Sequence, residues 1–161
     1  MKRLVGRDEG SLGALYGRRR CGKSRILRET VPARRAVFFV GDDRDPALQR
    51  ASLAAEIGRK IEGFDGVTYP GWDSLLARWW SDAPRGTVLI LDELPSLVAK
   101  APELPSLLQK RVDRDADRGL HLLVAGSSQR MMQGLVLDRS APLYGRAAEI
   151  MKIVPLAAGW I

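Results

Sequence analysis

The run Gly17-Arg18-Arg19-Arg20-Cys21-Gly22-Lys23-Ser24 limits the possible folds more than any other part of the sequence. It follows a short apolar stretch ending at Tyr16 and precedes a segment of helical spacing, Lys23 to Thr30, that stops before Pro32. Glycines at both ends of such a loop let the backbone curl until several N–H groups point at phosphate oxygens. The helix that follows adds the positive end of its dipole. In this setting Lys23 is placed to reach the β- and γ-phosphates and Ser24 to put its hydroxyl on Mg²⁺. Gly17, Arg18, Arg19, Arg20, Cys21, Gly22, Lys23, Ser24 and Arg25 are therefore the candidate phosphate-binding residues. Cys21 is read as a small side chain that the loop tolerates, not as a redox sensor.

A second motif lies about seventy residues on. Val88-Leu89-Ile90-Leu91 is wholly apolar and runs into Asp92 and Glu93. An unbroken apolar run suits a central parallel strand covered on both faces by helices. Asp92 is expected to hold Mg²⁺ together with Ser24, since this hard cation prefers oxygen ligands. Glu93 is expected to orient or deprotonate the attacking water. Read alone, the pair could equally be a helix N-cap that stabilises the turn at Pro95; the phosphate loop upstream decides for the catalytic reading. Glu directly after Asp marks the P-loop proteins that insert an extra strand between the phosphate-loop strand and the acidic strand. Leu120–Ala125 would be that strand, and it ends in Gly126-Ser127-Ser128. Either serine could touch the γ-phosphate or cap the next helix.

Short bounded apolar runs alternate with helical patterns along the chain, which predicts an α/β fold. Strands are expected at Leu12–Tyr16, Ala36–Val40, Thr87–Leu91, Leu120–Ala125 and Glu149–Val154. Helices are expected over Lys23–Thr30, from Pro46 to Gly63 behind the Asp45 cap, around Trp72–Asp82, and from Glu103. No repeat or linker divides the sequence, so residues 1–161 read as one P-loop domain. Trp72, Trp79, Trp80 and Trp160 could stack on bases, but the stripe carrying Trp79 and Trp80 favours burial. Met131 and Met132 are read as packing, and His121, with no second His or Cys nearby, as no metal ligand.

With Lys+Arg 26 against Asp+Glu 19, the net charge is +7 and the excess is mostly arginine. Such a surface attracts polyanions, so nucleic acid is a candidate partner on charge alone; solvated arginine faces are the equal alternative. No apolar run reaches the ~18 residues of a membrane span. A single cysteine forms no internal disulfide, which suits a cytoplasmic protein.

The phosphate loop, Leu91-Asp-Glu-Leu-Pro95, Leu107-Leu-Gln109, Ala125-Gly-Ser-Ser128 and Pro142-Leu-Tyr-Gly-Arg146, in this order, resemble the archaeal-type ATPase family. That family belongs to the AAA+-like signal-transduction (STAND) ATPases, and the resemblance covers Leu12 to Leu156. It implies ATP and Mg²⁺ as cofactors and a parallel five-stranded sheet in the order 5-1-4-3-2. It implies that Ser127 or Ser128, with Ser128 the candidate, senses the γ-phosphate, and that Glu93 and Arg146 serve catalysis. For Arg146 a structural ion pair at the last strand stands as the alternative. Two departures shape the expectations. Gly6-Arg7-Asp8-Glu9-Gly10 leads almost directly into Leu12, leaving no room for the helix that follows this segment in the family. The helical lid and C-terminal effector region are expected to be missing. The function implied is Mg-dependent ATP hydrolysis driving a conformational switch, with a protein partner or effector domain to receive it. Alternatives are a catalytically idle nucleotide-binding core and a DNA-engaging ATPase.

Overall fold

Alternation of apolar side chains above and below each strand decides how this chain layers. The computed structural model describes residues 1–155; Trp160, one of the four tryptophans considered above, lies outside them. Five strands form one sheet: β1 (Ser11–Tyr16), β2 (Ala36–Val40), β3 (Val88–Asp92), β4 (His121–Gly126) and β5 (Ala147–Lys152). All pair in parallel, in the order β2-β3-β4-β1-β5. This is the expected 5-1-4-3-2 order, with β4 between the phosphate-loop strand and the acidic strand.

Leu12, Ala14, Val37, Phe39, Leu89, Leu91, Leu122 and Val124 point to one face. There they meet α2 (Pro46–Gly58), α3 (Trp72–Asp82), α4 (Leu94–Lys100), α5 (Leu104–Arg114) and the short α6 (Gln129–Met132). Leu15, Val88, Ile90, Leu123 and Ala125 point the other way, against α1 (Lys23–Thr30) and the buried side chains of Met1, Leu4 and Val5. The result is the three-layer α/β architecture, thick on one side and thin on the other. The N-terminal stretch runs as turns until β1 begins at Ser11.

Local expectations change at several places, and the last strand, β5, begins and ends two residues before the expected Glu149–Val154. The helix after Asp45 ends at Gly58, not Gly63. The chain turns there because Phe64, fully buried, folds back in a 3₁₀ turn whose Asp65 side chain lies where a Cβ on residue 58 would be. Helix α4, not foreseen, starts directly after Glu93 with proline in its first turn, a position proline favours. Of the two methionines read as packing, Met132 is buried but Met131 is 47% exposed. Trp72, Trp79 and Trp80 are buried as their helical spacing predicts.

Candidate active site

Parallel pairing brings the C-terminal ends of β1, β3 and β4 to one edge of the sheet. Tyr16 pairs with Gly126, and Leu91 with Val124. The phosphate loop, Glu93 and Ser127 therefore leave the sheet side by side.

The loop's geometry needs its glycines at two places. A Cβ on Gly17 would collide with the carbonyl oxygen of Ile153, which follows β5; the Ile153 N–H donates to Tyr16 O at 2.8 Å. Gly22 sits in the left-handed region at φ 90° and opens α1. Arg20 is also left-handed, at φ 60°, a conformation that a residue with a Cβ adopts at some cost. No backbone N–H from Arg19 to Ser24 meets a backbone acceptor in hydrogen-bonding geometry among the described residues. The loop thus presents a set of donors toward its hollow. Lys23 is 6% exposed, and its ammonium donates to the carbonyls of Gly17 at 2.7 Å and Arg18 at 2.8 Å. It holds the curl closed from inside. Arg25 stands outside on α1, where a hydrogen bond to Glu29 at 2.8 Å raises its already high pKa.

Opposite the loop, Ser24 Oγ donates to Asp92 Oδ2 at 2.6 Å, and the Glu93 N–H donates to Asp92 Oδ1 at 2.9 Å. Asp92 is 3% exposed, so both oxygens of a buried carboxylate are paired. A hydroxyl and a carboxylate in contact are an all-oxygen pair of the kind Mg²⁺ takes, since this ion draws few ligands from protein and the rest from phosphate and water. Among the described residues no group of three or more His, Cys, Asp and Glu side chains forms a metal cage of its own. The Ser24–Asp92 oxygen pair fits Mg²⁺ by the chemistry of its donors.

Glu93 adopts φ 54°, the second non-glycine residue in the left-handed region. Its side chain does not cap α4; Oε2 accepts a hydrogen bond from Ser127 Oγ at 3.1 Å. A cleft of about 430 Å³ lies between the loop and this carboxylate, with Arg19, Arg20, Lys23, Ser24, Arg25 and Glu93 on its walls. Gly41 and Ser96 also line it and were not singled out from sequence. A Cβ on Gly41 would press on Leu97 and on the Glu93 carbonyl, so glycine there lets the exit of β2 pass the first turn of α4. Its signal was a glycine ending an apolar strand; Ser96 belongs to the helix that was not foreseen.

Two predicted residues stand apart from this assembly. Ser128 is the N-cap of α6, its hydroxyl accepting from the Met131 N–H at 3.3 Å. Arg146 makes a two-pronged ion pair with Asp113, at 2.9 and 3.0 Å. It precedes β5, whose first residue pairs with Leu12, so it lies at the opposite edge of the sheet from the phosphate loop.

Comparison with known proteins agrees with this fold. The Walker-type ATPase Paby2304 of Pyrococcus abyssi superposes with a TM-score of 0.63 at 18% identity, covering 88% of this chain and 48% of that one. Cdc6p of Pyrobaculum aerophilum gives 0.62 at 19%, covering 96% and 43%. The ORC2 protein of Aeropyrum pernix, in its ADPNP–ADP complexes, gives 0.63 at 17%, covering 94% and 43%. At such identities the likeness is one of fold. In sequence, the uncharacterized protein MJECL04 of Methanocaldococcus jannaschii is 29% identical over 143 residues, 88% of this chain. The chain spans only 30% of that relative and less than half of each of the three structures. Residues 10–159 match the AAA domain family. The chain belongs to the AAA domain family, and its fold is that of the P-loop NTPases.

Proposed function

We propose that the chain binds Mg·ATP in the cleft beside the phosphate loop, hydrolyses it slowly, and passes the change of nucleotide state to a partner or effector domain. The observation that carries this reading is the convergence of Ser24, Asp92, Glu93 and Ser127 on one edge of the sheet, facing Lys23 and the open amides of the loop. The amides and Lys23 bind the triphosphate. Ser24 and Asp92 hold the metal side of the complex, where bound Mg²⁺ supplies positive charge at the phosphates. Glu93, kept in place by Ser127, orients the water and takes its proton.

Slow turnover follows from the supply of cations. An arginine that stabilises the transferring phosphoryl group is worth about 10³–10⁵ in rate. The family-matched Arg146 is engaged with Asp113 at the far edge, so it cannot act on this chain's own nucleotide. A switch in signalling, defence or mobile-element function, of the STAND kind, suits a core with these properties. The net charge of +7 favours one second reading, an ATPase that engages DNA. Phosphate release measured with and without duplex DNA separates the two. The switch reading expects a rate well below about 10 s⁻¹ that DNA leaves unchanged. Strong stimulation would establish the DNA-engaging reading, and ATP binding without any release would leave an idle nucleotide-binding core.

A further inference from the structure

Strand β2 is an edge strand built like a central one. Among the described residues it pairs with β3 alone, in unbroken register from Ala36 to Val40. Its sequence, Ala36-Val37-Phe38-Phe39-Val40, is apolar on both faces. Exposed edges are usually blunted by a lysine, a proline or a bulge, because their free N–H and C=O groups invite another strand. β2 has none of these.

The space beside it is also open. Two hollows of about 320 and 380 Å³ lie end to end along the unpaired side, sharing Arg28, Phe38, Glu56 and Arg59. The first reaches Ala36 and Lys60 and the second reaches Val40, so together they run the length of the strand. Arg28 of α1 stands on one wall; Glu56 of α2 and Arg59, which caps that helix's C-terminal end, stand on the other. Val40 is 45% exposed at one end.

We infer that the open edge of β2 is a docking site for an acidic, extended segment of a partner protein, which adds to the sheet as a sixth strand. Main-chain hydrogen bonds to an edge give such a complex its affinity, and side-chain hollows give it specificity. The charge selects the occupant. Arg28, Arg59 and Lys60 line the hollows with a single carboxylate, Glu56, which Arg59 pairs at 3.6 Å, so the lining keeps an excess of positive charge. A second copy of this chain would set the same cations against themselves. Single-stranded nucleic acid binds such cationic grooves by stacking its bases on open rings. Here the Arg28 guanidinium already covers Phe38 at 4.0 Å, and Phe39 is buried.

The test uses a labelled eight-residue peptide of alternating Val and Glu, its Val–Lys counterpart and oligothymidine, read by fluorescence anisotropy and by amide hydrogen exchange. The Val–Glu peptide is expected to bind and to slow exchange in residues 36–40, with the Val–Lys peptide at least tenfold weaker. The double variant Arg28→Glu, Arg59→Glu is expected to reverse that preference while its ATP affinity stays unchanged. Arg59→Glu alone, at a side chain 77% exposed, gives a smaller shift of the same sign and guards against misfolding of the double variant. Equal binding of both peptides, insensitivity to either variant, protection of β2 by oligothymidine, or a concentration-dependent dimer protecting β2 would each overturn the assignment.

Discussion

Lys23 and Glu93 are both held in position by groups of the chain itself, and the difference between their partners separates two kinds of mutant. The Lys23 ammonium sits on two carbonyls of its own loop. Lys23→Ala therefore removes the charge proposed to meet the triphosphate and also strips two acceptors of their donor, at about 1–3 kcal/mol for a buried group left unpaired. Calorimetry is expected to show at least a tenfold loss of ATP affinity, accompanied by a lower melting temperature. Unchanged affinity in a folded variant would dismiss Lys23 as the phosphate contact. Glu93→Gln keeps the shape of the side chain and an oxygen for the Ser127 hydroxyl, so the left-handed turn at φ 54° has no reason to relax. This variant is expected to bind Mg·ATP as the parent does and to release no phosphate, because an amide cannot accept the water's proton. Turnover at the parental rate would move the base elsewhere.

At the scale of elements, the structure distinguishes what adjacent residues hide. Ser127 and Ser128 are chemically the same in sequence, and the local pattern fits both a γ-phosphate contact and a helix cap. Their roles divide only because β4 ends at Gly126, turning one hydroxyl to Glu93 and the other to the first turn of α6. Ser128→Ala is accordingly expected to cost about 1 kcal/mol of stability, as lost caps do, with little change in turnover. Ser127→Ala should do the reverse, lowering the rate of phosphate release at nearly constant stability. Denaturant midpoints measured beside steady-state rates decide, and a rate loss confined to Ser128→Ala would exchange the assignments. The phosphate loop, the acidic pair, the sheet order and most strands were legible because each is specified by a few consecutive residues. Helix α4 was not: its seven residues give too few turns for a periodicity, and the N-cap reading at Pro95 gave way to the catalytic one. The Arg146–Asp113 pair, 33 residues apart in sequence, depends on where α5 packs, which no local pattern encodes.

Across the whole molecule the two edges of the sheet have opposite chemistry. The edge with the phosphate loop offers open amides and cations to a ligand, whereas the other spends its arginines on the fold. Arg35 donates to the carbonyls of Gly86 and Val5, and Arg118 to those of Trp80, Ser81 and Ala83. Arg146 belongs to this second edge, separated from the loop by the length of six-residue β5, about 20 Å. Its ion pair is partly exposed, so Arg146→Ala is expected to cost no more than about 1 kcal/mol and to leave phosphate release by monodisperse protein unaltered. His121 is fully buried at the start of β4, within reach of the Arg35 and Arg7 charges. The Ser11 hydroxyl lies 3.2 Å from the Leu4 carbonyl oxygen and 2.7 Å from His121 Nδ1. Burial chiefly, and then the Arg35 charge, hold the pKa below its ordinary value of 6.5; the Arg7 carbonyl pulls it up and the Arg7 charge down. In the unfolded chain the ring takes its proton near about 6.5. The unfolded state therefore binds more protons between that value and the lower folded one. Stability is complete above pH 6.5 and is lost as pH falls through this window, at no more than about 1.4 kcal/mol per pH unit for a single proton. Urea midpoints are expected to be level from pH 8 to 7 and to fall from pH 6.5 to 5.5. His121→Gln, which cannot titrate and keeps hydrogen-bonding groups for Ser11, should flatten that fall. An equally steep fall in the variant would place the acid sensitivity in the carboxylates and not in the buried ring.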